Sequence, residues 1–332
     1  MNAPTVSVVL PNFNHARYLP TSLGALAAQA DQALEILVVD DGSTDDSVAV
    51  VESFCRNTPN MRLVRHEKNR GLTAAWNAGV GQCKGDFVTI PGADDEVLPG
   101  FLAKSRAALA EHPEAGMCTA LAEMMSPEGK VLGPYETPVI SDSPRFVRPE
   151  ELLSLYRRHG NWFVTQTVLY RRADVLALGG WNARCFPGCD GVLSWLMACQ
   201  RGVCFVPERL ARWRKRADSL AAVSALTAED ILGGLERREA SMEKPAVGRG
   251  VPRELLDAMW TKSVLVAISE LLQRPGTPPE ELHALIKRLP DGWLKSRALS
   301  SRDPRKLSKL LIFSNEPLSE KLRLIARKAG LR

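Results

Sequence analysis

Apolar and polar positions alternate in blocks along the first 110 residues. Val6 to Leu10 is a short β-branched run that stops at Pro11-Asn12-Phe13-Asn14, as a buried strand does where it enters a loop. From Arg17 to Ala30, apolar residues recur at helical spacing as Leu19, Leu23, Leu26, Ala27 and Ala30. Glu35 to Val39 is a second buried strand, ending at Asp40-Asp41-Gly42-Ser43. Ser43 or Thr44 is placed to cap the next helix, with Asp45 and Asp46 in a first turn whose dipole favours acids. A third strand fits Arg62 to Arg65, a helix Leu72 to about Gly79, and a fourth strand Asp86 to Ile90, which runs into Pro91-Gly92-Ala93-Asp94-Asp95.

Strands that alternate with helices predict an α/β domain with a doubly wound, mostly parallel sheet. Asn12, Asp40, Asp41, Asp94 and Asp95 all follow the carboxyl ends of their strands, the edge at which open α/β sheets bind ligands. After Glu114 the pattern is mixed: Val164 to Tyr170 reads as a strand, Gly188 to Arg201 as a helix and Val203 to Val206 as a strand. Beyond Ala225 the periodicity is helical, at Ile231 to Arg238 and Leu255 to Leu272, with Pro-Gly-Thr-Pro-Pro at 275–279 as punctuation. The expected division is an α/β domain at 1–222 and a helical C-terminal region at 223–332.

Composition changes this picture little; charge placement changes it more. Hydrophobic residues at 45% and charged residues at 24% are ordinary for a globular chain. The net charge of +5 is concentrated: Lys295 to Arg332 carries eleven Lys and Arg against three Asp and Glu, leaving the remainder slightly acidic. That basic tail also contains Leu307, Leu310, Leu311, Ile312, Leu322, Leu324 and Ile325. It reads either as a helical cap with a solvated face or as an amphipathic segment for an anionic membrane surface. Seven scattered cysteines do not make a secreted disulfide framework, and Met1 to Leu10 has no leader-like pattern. The expected setting is cytoplasmic, peripheral to the inner face of the membrane if the tail binds there.

The carboxylates carry the candidate chemistry. A divalent cation such as Mg²⁺ keeps one or two protein carboxylates beside waters and phosphates, and it stabilises a departing diphosphate as a Lewis acid. Adjacent aspartates after a buried strand suit that task, and they equally suit a cap on the loop before Pro99. Asp40-Asp41 can accept hydrogen bonds from a base or ribose. Phe13 can stack on a base or fill a core.

Taken together, these segments closely resemble the opening of family 2 glycosyltransferases of the GT-A fold, of the bacterial polysaccharide type. The resemblance rests on Val6 to Asn14, on Glu35 to Ser47 with its Asp40-Asp41-Gly42-Ser43, and on Asn69-Arg70-Gly71-Leu72. Ala75-Trp76-Asn77-Ala78-Gly79 and Gly85-Asp86-Phe87-Val88 continue it in order. It implies a GT-A, Rossmann-like domain and an inverting transfer from a nucleotide-diphosphate sugar, UDP-linked first. The acceptor would be a hydroxyl of a saccharide or lipid-linked molecule in cell-surface polysaccharide synthesis, with no nucleic acid as partner. By position, Pro11 and Phe13 would line the base pocket, Asp41 or Asp40 would read the base, and Asn77 would join the nucleotide-sugar site. Asp94 and Asp95 match the metal-binding acids, with Asp95 as the ligand for Mg²⁺ or Mn²⁺. The family's commonest motif carries a further acid where this chain has Gly92.

A second resemblance runs from Gly179-Gly180-Trp181-Asn182 through Gly188-Cys189-Asp190-Gly191. It implies that Asp190 is the general base that takes the acceptor proton. Cys189 stands where the family usually has another acid, and Asp190 also fits a plain helix N-cap. Arg212 to Arg216 and Ser219 match a loop that closes over the diphosphate in relatives, with Arg214 and Ser219 as donor-binding groups; a solvated strand edge is the other reading. Trp162, Gln166 and Trp181 would lie toward the acceptor. The substitutions at Gly92 and Cys189 leave open a degenerate relative that binds nucleotide sugar without turnover. Cys185, Cys189, Cys199 and Cys204 lack the tight paired spacing of structural zinc. A dinucleotide-binding fold is excluded because no Gly-x-Gly-x-x-Gly follows the first strand.

Overall fold

The computed structural model describes residues 3–216, 227–273, 278–289 and 291. The strands are β1 (Val6–Asn12), β2 (Glu35–Asp40), β3 (Met61–Arg65), β4 (Phe87–Thr89), β5 (Glu96–Val97), β6 (Met117–Met125), β7 (Val131–Pro134), β8 (Arg145–Val147), β9 (Leu169–Arg171) and β10 (Val203–Arg214). The helices are α1 (Leu19–Ala27), α2 (Ser47–Asn57), α3 (Leu72–Gln82), α4 (Phe101–Glu111), α5 (Leu152–His159), α6 (Arg172–Ala177), α7 (Cys189–Arg201), α8 (Ala228–Glu243), α9 (Arg253–Gln273) and α10 (Pro279–Lys287).

The main path of the sheet is β3-β2-β1-β4-β9-β6-β10-β5. Neighbours from β3 to β4 are parallel, as are β6 and β10. β9 is antiparallel to both β4 and β6. Two reversals cancel, so β6 and β10 run in the same sense as β1 to β4. The carboxyl ends of all six strands therefore share one edge. Alternation along β1 sends Val9 to one face, with Ala75, Trp76 and Val80 of α3. Val6, Val8 and Leu10 go to the other face, with α1 and with Phe101 and Leu102 of α4.

Three expectations shift. Val164 to Tyr170 is not one strand: a 3-10 turn at Thr165–Thr167 precedes β9. The apolar run is buried but does not pair along its length. Thr167 Oγ1 takes over the ladder's role, donating to the Ala120 and Val164 carbonyls and accepting from the Ala120 N–H. β10 runs on to Arg214, past Pro207, with register shifts between Val206 and Ala211. Proline supplies no N–H, so the strand bulges there rather than stopping. Helix α2 starts at Ser47, later than expected, and neither Ser43 nor Thr44 caps it. Asp45 accepts from the Ser47 N–H instead.

Gly42 has φ +78°, and a Cβ there would lie 2.7 Å from the Lys68 carbonyl carbon. Strained backbone states cost about 1–3 kcal/mol each, so Gly42→Ala should lower unfolding stability by at least that much in urea titrations. A wild-type midpoint would show that the turn after β2 accommodates a side chain.

The C-terminal helices form an apolar cluster of their own, including Leu235, Ile268 and Leu285. They also join the sheet's core: Met242, Val251, Leu255 and Leu256 pack into the cluster that contains Trp195 and Leu196 of α7. Each is at most 7% exposed, and burial of such a side chain stabilises by about 1.5–3 kcal/mol. Among the described residues no helix is long and apolar enough to cross a membrane. The expected boundary near 222, Ser219, most of the 275–279 punctuation and the basic tail lie outside the described residues.

Candidate functional site

The loop after β4 carries Asp94 and Asp95 to the carboxyl edge. Asp95 is only 6% exposed, and its Oδ1 accepts from the Arg214 backbone N–H at 2.9 Å. Burial first, and the facing Asp94 charge second, push its carboxyl up to about 8. Gln166 and Arg214 oppose that shift only in part. Asp94 is more open and meets the Arg216 guanidinium at 3.4 Å. Gly92 explains how the pair fits. A Cβ at that position would lie 2.7 Å from Asp95 Oδ2 and 3.0 Å from Asp94 Oδ1. The glycine leaves the room into which both carboxylates turn, so the missing acid is linked to the placement of the two that remain.

Arg214 lies within β10, not on a loop. Its Nε donates to the Asp94 carbonyl at 2.7 Å, and its Nη1 donates to the carbonyls of Ser126 and Pro127. It ties the β6–β7 turn to the acidic loop, and with 3% exposure it is a buried brace rather than part of a mobile flap. The guanidinium carbons of Arg214 and Arg216 stand 4.8 and 5.2 Å from the Tyr18 ring centroid, in cation–π range.

On β1 and β2, Pro11 is buried while Phe13 is 38% exposed, an aromatic face offered at the sheet edge. Asp40 has no exposure; it accepts from Asn12 Nδ2 at 2.8 Å and from the Ser43 N–H at 3.0 Å. Asp41 is also inside, accepting from the Arg70 and Gly71 N–H groups, with His66 Nδ1 at 2.6 Å. Both acids thus organise the loops around Phe13, and Asp40 has no surface left for a ligand. Asn77 binds Trp181 on both sides, donating to its carbonyl at 3.0 Å and accepting from its N–H at 2.9 Å. It fixes the Gly179–Asn182 turn. Trp181 and Trp162 are core side chains, at 2% and 0% exposure, so neither lines a surface for an acceptor.

Asp190 sits in the first turn of α7, and the N-cap is Gly188 instead. The plain N-cap reading is therefore set aside. The carboxylate is half-buried and its Oδ2 accepts from Thr165 Oγ1 at 2.5 Å. Thr165 belongs to the 3-10 turn that was expected to be a strand. Tyr135 is 37% exposed and packs edge-on to Trp213. Its phenol is raised above the ordinary value by burial and then by the fields of Asp190 and Asp95. Sequence reasoning missed Tyr135, Thr165, His66 and Tyr18; Tyr135 and His66 directly follow strands, whereas Tyr18 precedes α1 and Thr165 opens a 3-10 turn, positions that give no local signal. All seven cysteines are free thiols. Among the described residues no three His, Cys, Asp or Glu side chains gather as a metal cage.

A mostly parallel sheet with an acidic pair at its carboxyl edge is an arrangement in which α/β proteins bind ligands. The glycosyl transferase family 2 model matches residues 7–174. An uncharacterized protein of Mycobacterium tuberculosis is 30% identical over 237 residues, covering 69% of this chain and 73% of that one. Other curated relatives are matched over less of their length, 27% to 50% for glycosyltransferases of Escherichia coli and Bacillus subtilis. The chain belongs to glycosyl transferase family 2. TarS of S. aureus (residues 1–349), solved with UDP-GlcNAc, shares the fold with a TM-score of 0.63 at 17% identity, covering 98% of this chain and 92% of that one. A mannosyltransferase of Pyrobaculum calidifontis, solved with GDP-Man and Mn²⁺, shares it with a TM-score of 0.53 at 18% identity, covering 97% and 88%.

Proposed function

We propose that the chain is an inverting glycosyltransferase that moves a sugar from a nucleotide-diphosphate sugar, UDP-linked first, to a hydroxyl of a saccharide or lipid-linked acceptor. The observation that carries this reading is the Asp94-Asp95 pair at the carboxyl edge of the sheet, with Asp95 buried and held by the Arg214 backbone N–H. Phe13 and Pro11 receive the base, beside a loop that Asp41 holds rigid.

Asp95, with Asp94 beside it, would hold a divalent metal. The donor set fits: two hard oxygen ligands whose like-charge repulsion Arg216 and Arg214 offset only in part, in a site one or two carboxylates short of a full cage. When bound, a metal there supplies charge neutralisation for the departing diphosphate. Arg216, at 10% side-chain exposure over Tyr18, adds positive charge on the same side. Asp190 takes the proton from the acceptor hydroxyl, and Thr165 aims its carboxylate. Seven separate thiols suit a cytoplasmic setting, and the basic tail at 295–332 would bring the enzyme to a membrane surface holding its acceptor.

Thermal unfolding with UDP-, GDP- and dTDP-sugars, each with Mn²⁺ or with EDTA, tests the donor reading. At a ligand concentration 100 times Kd, binding to the native state adds about 2.7 kcal/mol. One nucleotide series should raise Tm with Mn²⁺ and much less with EDTA. No shift with any donor would overturn the proposal.

A further inference from the structure

Arg216 stands two positions beyond Arg214, where β10 ends. Strand pairing carries on past that end, because the Lys215 N–H donates to the Met125 carbonyl. A spacing of two in extended backbone returns a side chain to the same face. Both guanidiniums accordingly meet the Tyr18 ring, and Arg17 meets it as well, with its guanidinium carbon 4.4 Å from the centroid. Tyr18 is 6% exposed, yet it belongs to none of the apolar clusters of the described residues. Three guanidiniums share the ring instead. An aromatic face attracts a cation, and the attraction grows as water is removed.

Arg214 and Arg216 are held differently. Arg214 donates to the Asp94, Ser126 and Pro127 carbonyls at 2.7 to 3.1 Å. Arg216 Nη1 faces Asp94 Oδ2 across 3.4 Å, although the two side chains are only 10% and 22% exposed. A charge-assisted hydrogen bond spans ~2.7–2.9 Å, so this contact is an attraction between charges rather than a closed bond, and it opens more easily than those of Arg214. Asp94 Oδ1 meanwhile turns with Asp95 Oδ2 toward Gly92. A divalent cation on Asp94 and the Arg216 guanidinium would repel each other, and so little water screens that repulsion weakly. Metal and arginine therefore compete for one carboxylate. A diphosphate relieves the competition, because a guanidinium fork matches phosphate oxygens in pairs.

We propose that Arg216, held by the Tyr18 ring, is the resident counter-ion of Asp94, and that a divalent cation replaces it there when a nucleotide diphosphate receives the displaced guanidinium. The inference rests on Asp94 and Asp95 as the metal site. It makes metal and diphosphate a coupled pair: the metal alone binds weakly, and each ligand raises the affinity of the other by the same factor, as linkage requires. Tyr18 is a positioning residue in this scheme and acts through Arg216.

The test is titration of the full chain with Mn²⁺, reading free Mn²⁺ by electron paramagnetic resonance, without nucleotide and with UDP or GDP. Mixtures lacking protein correct for Mn²⁺ held by the nucleotide alone. Arg216→Gln should bind Mn²⁺ by itself ~10-fold more tightly than the wild type, and the gain that nucleotide adds should shrink by a similar factor, within the usual range for coupled ligands. Tyr18→Leu should move toward Arg216→Gln, and Tyr18→Phe, which keeps the ring, should stay at wild type. Arg17→Gln removes an exposed charge from the same ring and should change Mn²⁺ binding at most ~3-fold. Equal Mn²⁺ affinity in wild type and Arg216→Gln overturns the proposal and leaves the metal site standing. An equal gain in Arg17→Gln overturns it too, since a general field would then explain the effect. If neither wild type nor Arg216→Gln binds Mn²⁺, the Asp94-Asp95 reading fails and the proposal falls with it.

Discussion

Asp190→Asn is expected to lower transfer by ~10²–10⁴-fold, the usual contribution of a positioned general base, while donor binding stays at the wild-type level. The variant is close to isosteric, and the Thr165 hydroxyl that donates to Asp190 Oδ2 can donate as well to an amide oxygen. The first turn of α7 needs no side-chain cap at 190, because the N-cap is Gly188. Folding should therefore be unaffected, and the loss should fall on kcat rather than on the donor KM. Turnover of the donor that wins the thermal-shift panel, measured beside its binding, separates these effects. Near wild-type turnover in Asp190→Asn would remove Asp190 as the base and move attention to Tyr135.

Asp95→Asn should divide stability from function. The buried carboxyl is held up at about 8 by desolvation and by Asp94, whereas in the unfolded chain it titrates near 3.9. A folded-state value above the unfolded one means that the native protein gains protons relative to the unfolded state. Its stability then falls as pH rises from about 4 to about 8. Asparagine has no charge to bury and keeps an oxygen for the Arg214 N–H. In EDTA the variant should therefore equal or exceed the wild type in Tm, with a margin that grows over that pH window and levels off above it. With Mn²⁺ and donor nucleotide, the order should reverse, because the metal-dependent gain is lost with the carboxylate. A variant that keeps the full Mn²⁺-dependent shift would place the metal elsewhere. One that melts far below the wild type in EDTA would show that Asp95 is a structural acid. A residue that destabilises its own fold while serving the site is the usual form of a stability–activity trade-off.

Much of the fold was legible because the first hundred residues state it twice, in hydrophobic period and in turn chemistry. β1, β2, β3 and α3 lie where their apolar runs put them, and Asp94-Asp95 stands at the strand edge that alternation predicts. The failures share a cause. The 165–167 turn, the late start of α2 and the passage of β10 through Pro207 are settled by hydrogen bonds from distant segments: Ala120 to Thr167, Asn14 to Ser43 and Thr44, Met125 to Lys215. Local propensity contains no information about such partners. The same holds for site residues. Arg214 looked like a mobile phosphate-binding group until its guanidinium was found on the Ser126 and Pro127 carbonyls. Asn77 and Trp181 looked like ligand contacts and turned out to hold each other.

The sequence by itself determined the α/β architecture, the family and the acids at the sheet edge, because period, strand-end chemistry and segment order are local properties of the chain. The tertiary fold set which acids brace loops, as Asp40 and Asp41 do, and which stand more open at the edge, as Asp94 and Asp190 do. It also brought Thr165 to Asp190 and set the C-terminal helices as a wall beside that acid. Those outcomes depend on burial and on contacts across a hundred residues. A carboxylate's role follows from what surrounds it, and its surroundings exist only once the sheet has closed.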